Sequence, residues 1–192
     1  MKAASLWKTL TRTERLAWNA WAKSNPVLLD DGNVRRVSGR KAMTMVLRNR
    51  ALAGDAAAPS VVPVAVAWLD GALDLNDAGP FTENAGFIGF RAQQNLAAGT
   101  KWFVWATPPV GAAVVNPRPH LRFVTCLALG AVAVDDLVGL NGPYLAVNGS
   151  WDGPLTEGEW PGDTFVWFRL HHYANGQLSP GVAMAGRIQI AL

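Results

Sequence analysis

The chain carries a single cysteine, Cys126, in 192 residues, so no intrachain disulfide can form and a disulfide-stapled scaffold is excluded. It has no long apolar run. The longest uncharged one, Phe123 to Val134, falls well short of the roughly 18 to 20 residues that a membrane-spanning helix needs, so no span is expected. The N-terminal stretch is broken by Lys8, Arg12, Glu14 and Arg15 and lacks the apolar block of a signal peptide, so the chain is expected to be made in the cytoplasm without classical secretion. Three histidines and one cysteine leave almost no candidates for a zinc site, which takes three or four such ligands; no metal is expected. A glycine-rich phosphate loop, a Gly-x-Ser-x-Gly elbow and a dinucleotide fingerprint are all absent, so neither a cofactor nor catalytic residues are expected, and the chain reads as non-enzymatic.

What the chain has is tryptophan: nine of them, against two tyrosines. Large aromatics concentrate in cores and at protein interfaces, so an excess leaves material for an assembly surface. Half the residues are apolar and only 16% are charged, which argues against disorder, while 19 glycines and 12 prolines point to a globular fold rich in loops. The net charge of +3 conceals a polarity. Up to Gly54 there are eleven Lys and Arg against three Asp and Glu, a net +8; from Asp55 onward there are six against eleven, a net −5. Such asymmetry suits either contact with nucleic acid or head-to-tail pairing of one subunit with the next.

Residues 1–54 read as a basic helical arm. Thr11-Arg12-Thr13-Glu14 fits a capping box that starts a helix carrying Trp18 and Trp21 on one face, and Asn25-Pro26 ends it because the residue before proline is pushed out of the helical region. Asp31-Gly32 marks a turn, plausible for a small hairpin. Ser38 caps a second helix through Met43, Val46 and Leu47, with Gly54 at the left-handed C-terminal position. These helices are too short and too thinly apolar to stand alone. Residues 55–63, small and proline-containing, read as a linker.

From residue 64 to 192 the chain becomes a series of short Val-, Phe-, Trp- and Ile-rich segments broken by Gly, Pro and Asn. About seven such strands predict an antiparallel β-sandwich, Ig-like in architecture, making the protein mainly β with two helices in front. Asn175-Gly176 predicts a hairpin turn. Along 120–129 strict alternation sends Leu121, Phe123, Leu127 and Leu129 one way and His120, Arg122, Val124 and Cys126 the other. The stretch 134–163 is the longest irregular one, with a short helix at 135–140, and Trp151 and Trp160 within it are the candidates for a ligand-binding loop.

Several residues invite catalytic readings that their context weakens. Cys126 lies mid-strand with no cationic neighbour to lower its pKa, which fits an inert thiol. His171 and His172 are adjacent in a strand and so point to opposite faces. Glu157 with Glu159, and Asp135 with Asp136, sit side by side in turn-like sequence instead of flanking a cleft. The basic arm is the sharper feature. Arg35, Arg36, Arg40, Lys41, Arg48 and Arg50 suggest phosphate contact, but the connection between the helices is far longer than that of a helix-turn-helix, and no aromatic platform interleaves the arginines.

Together, Thr13-Glu14-Arg15, Ala17-Trp18, Trp21-Ala22, Asn25-Pro26-Val27, Gly32, Ser38-Gly39, Ala42 and Gly54 resemble a pattern, TxxERxAWxxWAxxNPV followed by SGxxAF, of uncharacterised bacterial and prophage-associated proteins. In that family the helical segment precedes fibronectin type III-like β-domains, and 101–110, 120–129 and 165–181 are similar to strands of the downstream domain. This chain departs from it in having Met43 where an aromatic is usual. The resemblance implies a structural role: a self-assembling subunit of a phage-like particle, as tail, tube or decoration, or of an extracellular filament. The expected interface comprises Trp18, Trp21, Arg35, Arg36, Arg40, Lys41, Met43 and Leu47, docking on a neighbouring copy head to tail. A coat or packaging protein that contacts nucleic acid, and a carbohydrate- or ligand-binding β-sandwich module, are the alternatives.

Overall fold

The computed structural model describes residues 3–28, 33–55, 58–69, 73–74, 89–108, 110–111, 113–114, 116–134, 136–148, 164–179 and 184–189. The chain divides into two compact units, Met1–Trp68 with Tyr173–Pro180, and Leu69–His172 with Gly181–Leu192. The described residues contain antiparallel sheets and helices, a mixed content in which helix takes a larger part than the sequence predicts.

The first unit opens with three helices where two were expected: α1 (Ala3–Thr9), α2 (Arg12–Ser24) and α3 (Gly39–Leu52). The predicted capping box is present. The Thr11 hydroxyl accepts from the Glu14 backbone N–H at 3.3 Å, and the Glu14 carboxylate accepts from the Thr11 N–H at 2.7 Å. Short strands β1 (Val27–Leu28) and β2 (Val34–Arg35) pair antiparallel around the predicted turn, whose Asp31 and Gly32 lie outside the described residues. Ser38 caps α3, and Gly54 takes φ +69° just beyond it.

Small residues set the helix crossing. A side chain on Gly39 would meet the Asn19 backbone nitrogen at 2.7 Å and the Trp18 carbonyl carbon at 2.8 Å, and Ala22 and Ala42 are buried nearby in the same core. Leu10, Trp18, Met43 and Val46 complete that core, with Leu6 and Trp7 of the unexpected first helix leaning on it. The stretch read as a linker belongs to it too. Val62 packs on the helical core, Pro63 is buried, and the Trp18 indole N–H donates to the Pro59 carbonyl at 2.9 Å.

The remaining strands are β3 (Leu73–Asp74), β4 (Gly89–Ala92), β5 (Lys101–Ala106), β6 (Val110–Gly111), β7 (Arg122–Ala128), β8 (Leu137–Gly139), β9 (Thr164–Ala174), β10 (Gln177–Leu178) and β11 (Met184–Gln189), with helix α4 (Asn141–Asn148) between β8 and β9. β3, β4 and β8 form a three-stranded sheet, and β10-β9-β5-β7, with β6 and β11 also on β9, a six-stranded one. The last two residues of β9 and all of β10 fall in the first unit. They are joined by the predicted Asn175-Gly176 turn, with φ +52° and +81° as a type I′ turn requires.

Both sheets feed one core in the second unit: Phe90 of β4 meets Phe168 of β9 edge to face at 5.6 Å, with Trp102, Leu140, Tyr144 and Leu170 around them. The opposite face of β5 is aromatic as well. Phe103, Trp105 and Phe123 lie with centroids 5.1 to 5.7 Å apart, and His171 stands edge-on to Trp105 at 5.4 Å.

Two expectations fail here for local reasons. The alternation along β7 is broken by a bulge at Val124, so Phe123 joins the aromatic face while Val124 enters the inter-sheet core. Residues 137–139, expected in a helix, pair with Gly89–Arg91 as β8. The helix starts instead at Asn141, with Pro143 in its first turn, where a missing N–H costs nothing.

Gly176 combines positive φ with a tight fit, since an added Cβ would meet Val46 Cγ1 at 2.7 Å and the Val46 carbonyl at 2.9 Å. Gly176→Ala is expected to destabilise the protein by about 1–3 kcal/mol through overpacking alone, read in a denaturant melt, whereas Gly130→Ala, with nothing within 4 Å, leaves the midpoint unchanged. The two tyrosines provide a second check. Burial raises Tyr144 above its ordinary 10.0, with Arg122 opposing, and its hydroxyl donates to the Thr107 carbonyl at 3.0 Å. Burial also raises Tyr173, reinforced by its 2.6 Å hydrogen bond to Asp55 and by that carboxylate's charge. A phenol whose folded pKa is raised lends stability below its unfolded pKa and loses it as pH climbs toward the folded value. Native protein should therefore show no tyrosinate absorbance near the ordinary 10.0, denatured protein should show both tyrosines ionising there, and stability should fall above that pH.

Candidate functional site

The residues expected to dock on a neighbour separate into two groups. Trp18 and Met43 have no exposed surface; they are core residues of the first unit, held there because the tight α2–α3 crossing closes over them. This corrects their reading as an arm's leading contacts. Trp21 and Leu47 are half-buried against the same core. Trp21 sits edge-on to Trp18 at 5.7 Å, which fixes its ring.

Arg35, Arg36, Arg40 and Lys41 are all exposed, as is Arg48 one turn and more along α3. Arg50 departs from the expected basic face: it is buried, and its guanidinium donates to the Val61 carbonyl at 3.4 Å. The first unit contains eleven Lys and Arg against four Asp and Glu, a net +7, and the second six against ten, a net −4. The placement of these cations works against the helix. In α2 the capping position is followed by Glu14, whereas in α3 the same position, three residues after Ser38, holds Lys41, and the first turn contains no acid. A cation at the positive end of a helix dipole is unfavourable. Local stability therefore does not account for Arg40 and Lys41, which suits a role toward an anionic partner.

The first unit also holds a cleft of roughly 120 Å³. Trp21, Asn25 and Pro26 wall it from the end of α2, Met45 and Asn49 from α3, and Trp68 and Gln177 from the later chain. None of the lining residues is charged. The carboxamides are fixed by their nitrogens: Asn25 donates to the Trp21 carbonyl at 2.9 Å, Asn49 to the Gly176 carbonyl at 3.1 Å, and Gln177 to the Val64 carbonyl at 2.8 Å. The sequence marks Asn25-Pro26 as a helix end but gives no sign of this cleft, because Asn49 and Gly176 are 127 positions apart.

The other chemical candidates do not assemble into a site. His120 is exposed on the 3-10 turn Arg118–His120, and Cys126 is half-buried on β7. His171 faces Trp105; His172 faces Trp102 at 5.2 Å and accepts the Leu69 N–H at Nδ1. Burial, and then the charge of Arg118, lower the pKa of Arg169. Asp136 accepts from the Ala133 N–H as a turn residue, whereas Asp135, Glu157, Glu159, Trp151 and Trp160 lie outside the described residues. Among the described residues no group of three or more His, Cys, Asp or Glu is placed to hold a metal, and no helix is long and apolar enough to cross a membrane.

Lys41→Glu should complete a second capping box with Ser38 and raise stability by about 0.5–1 kcal/mol, measured by denaturant unfolding; a loss of stability would show that Lys41 has a structural partner. Compared with protein-family models, curated proteins and solved structures, the chain has no match.

Proposed function

We propose that this protein is a non-enzymatic structural subunit that assembles head to tail with copies of itself, in a phage-like particle or an extracellular filament. The observation that carries the reading is the opposition of charge: a first unit at +7 with Arg35, Arg36, Arg40 and Lys41 exposed, and a second unit at −4. Complementary potentials steer such units together and fix their orientation, and a contact between two different surfaces need not close into a dimer. Docking falls to the exposed cations, with Trp18 and Met43 supporting them from the core. The second unit is read as a β-sandwich of fibronectin type III-like kind, a reading supported by the shared Phe90–Phe168 core. A nucleic-acid-contacting coat or packaging protein is the second reading, favoured by the same cations at the N-terminal end of α3.

Removing residues 1–54 would strip Gly176 of Asn49, Val46 and Arg50, so charge reversal is the cleaner test. Light scattering and negative-stain microscopy of the full chain should show ordered oligomers at low salt. These should dissociate near 1 M salt, where the screening length falls to about 3 Å, and the Arg35→Glu, Arg36→Glu, Arg40→Glu, Lys41→Glu variant should stay monomeric at low salt. A wild-type monomer at every salt concentration sinks self-assembly. Tight binding of an oligonucleotide by that monomer, weakening linearly in log salt, would install the second reading.

A further inference from the structure

We propose that the cleft bounded by Trp21 and Trp68 is a binding site for a neutral pyranose unit of a glycan. Three features of the cleft select that class. Its lining has no charged residue although it lies in a unit of net charge +7, so it is not built for a phosphate or a carboxylate. Two half-buried indoles and Met45 give it apolar surface suited to the C–H face of a sugar ring. Its volume, roughly 120 Å³, is below the roughly 150 Å³ of a cavity that takes benzene, so it suits one face of a sugar ring whose remaining hydroxyls stay in solvent.

The polar groups discriminate further. Asn25, Asn49 and Gln177 each donate one amide N–H to a backbone carbonyl, which fixes the side chain and leaves the amide oxygen and the second N–H for a ligand. The site therefore presents acceptors together with donors, and calls for a ligand whose groups can both donate and accept. Sugar hydroxyls do both, whereas a proline-rich segment, the other usual guest of paired tryptophans, offers carbonyl acceptors and has no N–H at its prolines. The wall is rigid before any ligand arrives: Trp21 is braced by Trp18, and Trp18 by the Pro59 carbonyl. None of the exposed cations lines the cleft, so this inference does not rest on the assembly reading.

The chain's four methionines allow a direct readout in the folded full-length protein. Full-length protein labelled at the methionine methyls, with Met45 assigned through Met45→Leu, is titrated with methyl glycosides of glucose, galactose, mannose and N-acetylglucosamine and with their trisaccharides. The expected result is a saturable shift of the Met45 methyl by at least one neutral glycoside, with the buried Met43 methyl unmoved and no dependence on salt. Trp21→Ala and Trp68→Ala, checked for folding by circular dichroism, should each weaken that binding at least tenfold. Absence of any Met45 shift across the panel overturns the proposal. So does a shift produced by adenosine or by a proline-rich peptide and not by a glycoside, or glycoside binding that survives both tryptophan replacements.

Discussion

An indole buried whole must find an acceptor for its N–H, because an unpaired buried donor costs on the order of 1–3 kcal/mol. Trp18 meets this demand by reaching the Pro59 carbonyl, 41 positions along the chain, and so draws the segment after α3 onto the helices. The glycine and alanines at the α2–α3 crossing let the backbones approach closely enough to enclose the ring, and Trp21 takes its orientation from it. The cleft wall, the helix pair and the supposed linker are thus three consequences of one buried side chain. Trp102 provides the contrast. Its Nε1 is buried with no hydrogen-bond partner in the structure, and it is held by shape among core residues and by the neighbouring His172 ring.

Stability and surface chemistry pull in different directions on α3. Its buried side combines small and apolar residues that fit the crossing with Arg50, while its first turn carries cations where a helix favours anions. The Ser38 hydroxyl still accepts from the Lys41 N–H, so the helix keeps half of the arrangement that α2 has in full. In the proposed assembly those cations serve docking at a cost to the helix end.

Local signals in the sequence were legible where one short stretch contains the whole cause. Thr11 and Glu14 are three residues apart and need nothing else to cap a helix; Asn175-Gly176 is a type I′ turn by its own backbone preferences. Where the cause is distant, the reading failed. Residues 55–63 look like a linker by composition, and only the acceptor needed by Trp18 reveals otherwise. The tryptophan-bearing face of α2 was legible as an apolar face, but periodicity states that a face is covered and does not say by what. A single bulge at Val124 was enough to carry Phe123 and Val124 to the faces opposite those expected, because strand alternation has no memory beyond an inserted residue. The cleft was invisible for the same reason as the linker: its walls come from four separated stretches.

The first unit is discontinuous, and that imposes an order on its making. Asn49 donates to Gly176, Val46 and Arg50 close around the same glycine, and Asp55 receives the Tyr173 hydroxyl. During synthesis the three helices leave the ribosome more than a hundred residues before the hairpin that completes their unit. Until then the side chains around Val46 have no lid. The helical unit, although first in sequence, is among the last parts of the molecule to close, and any break in the chain between the two stretches turns an intramolecular fit into an encounter between separate pieces.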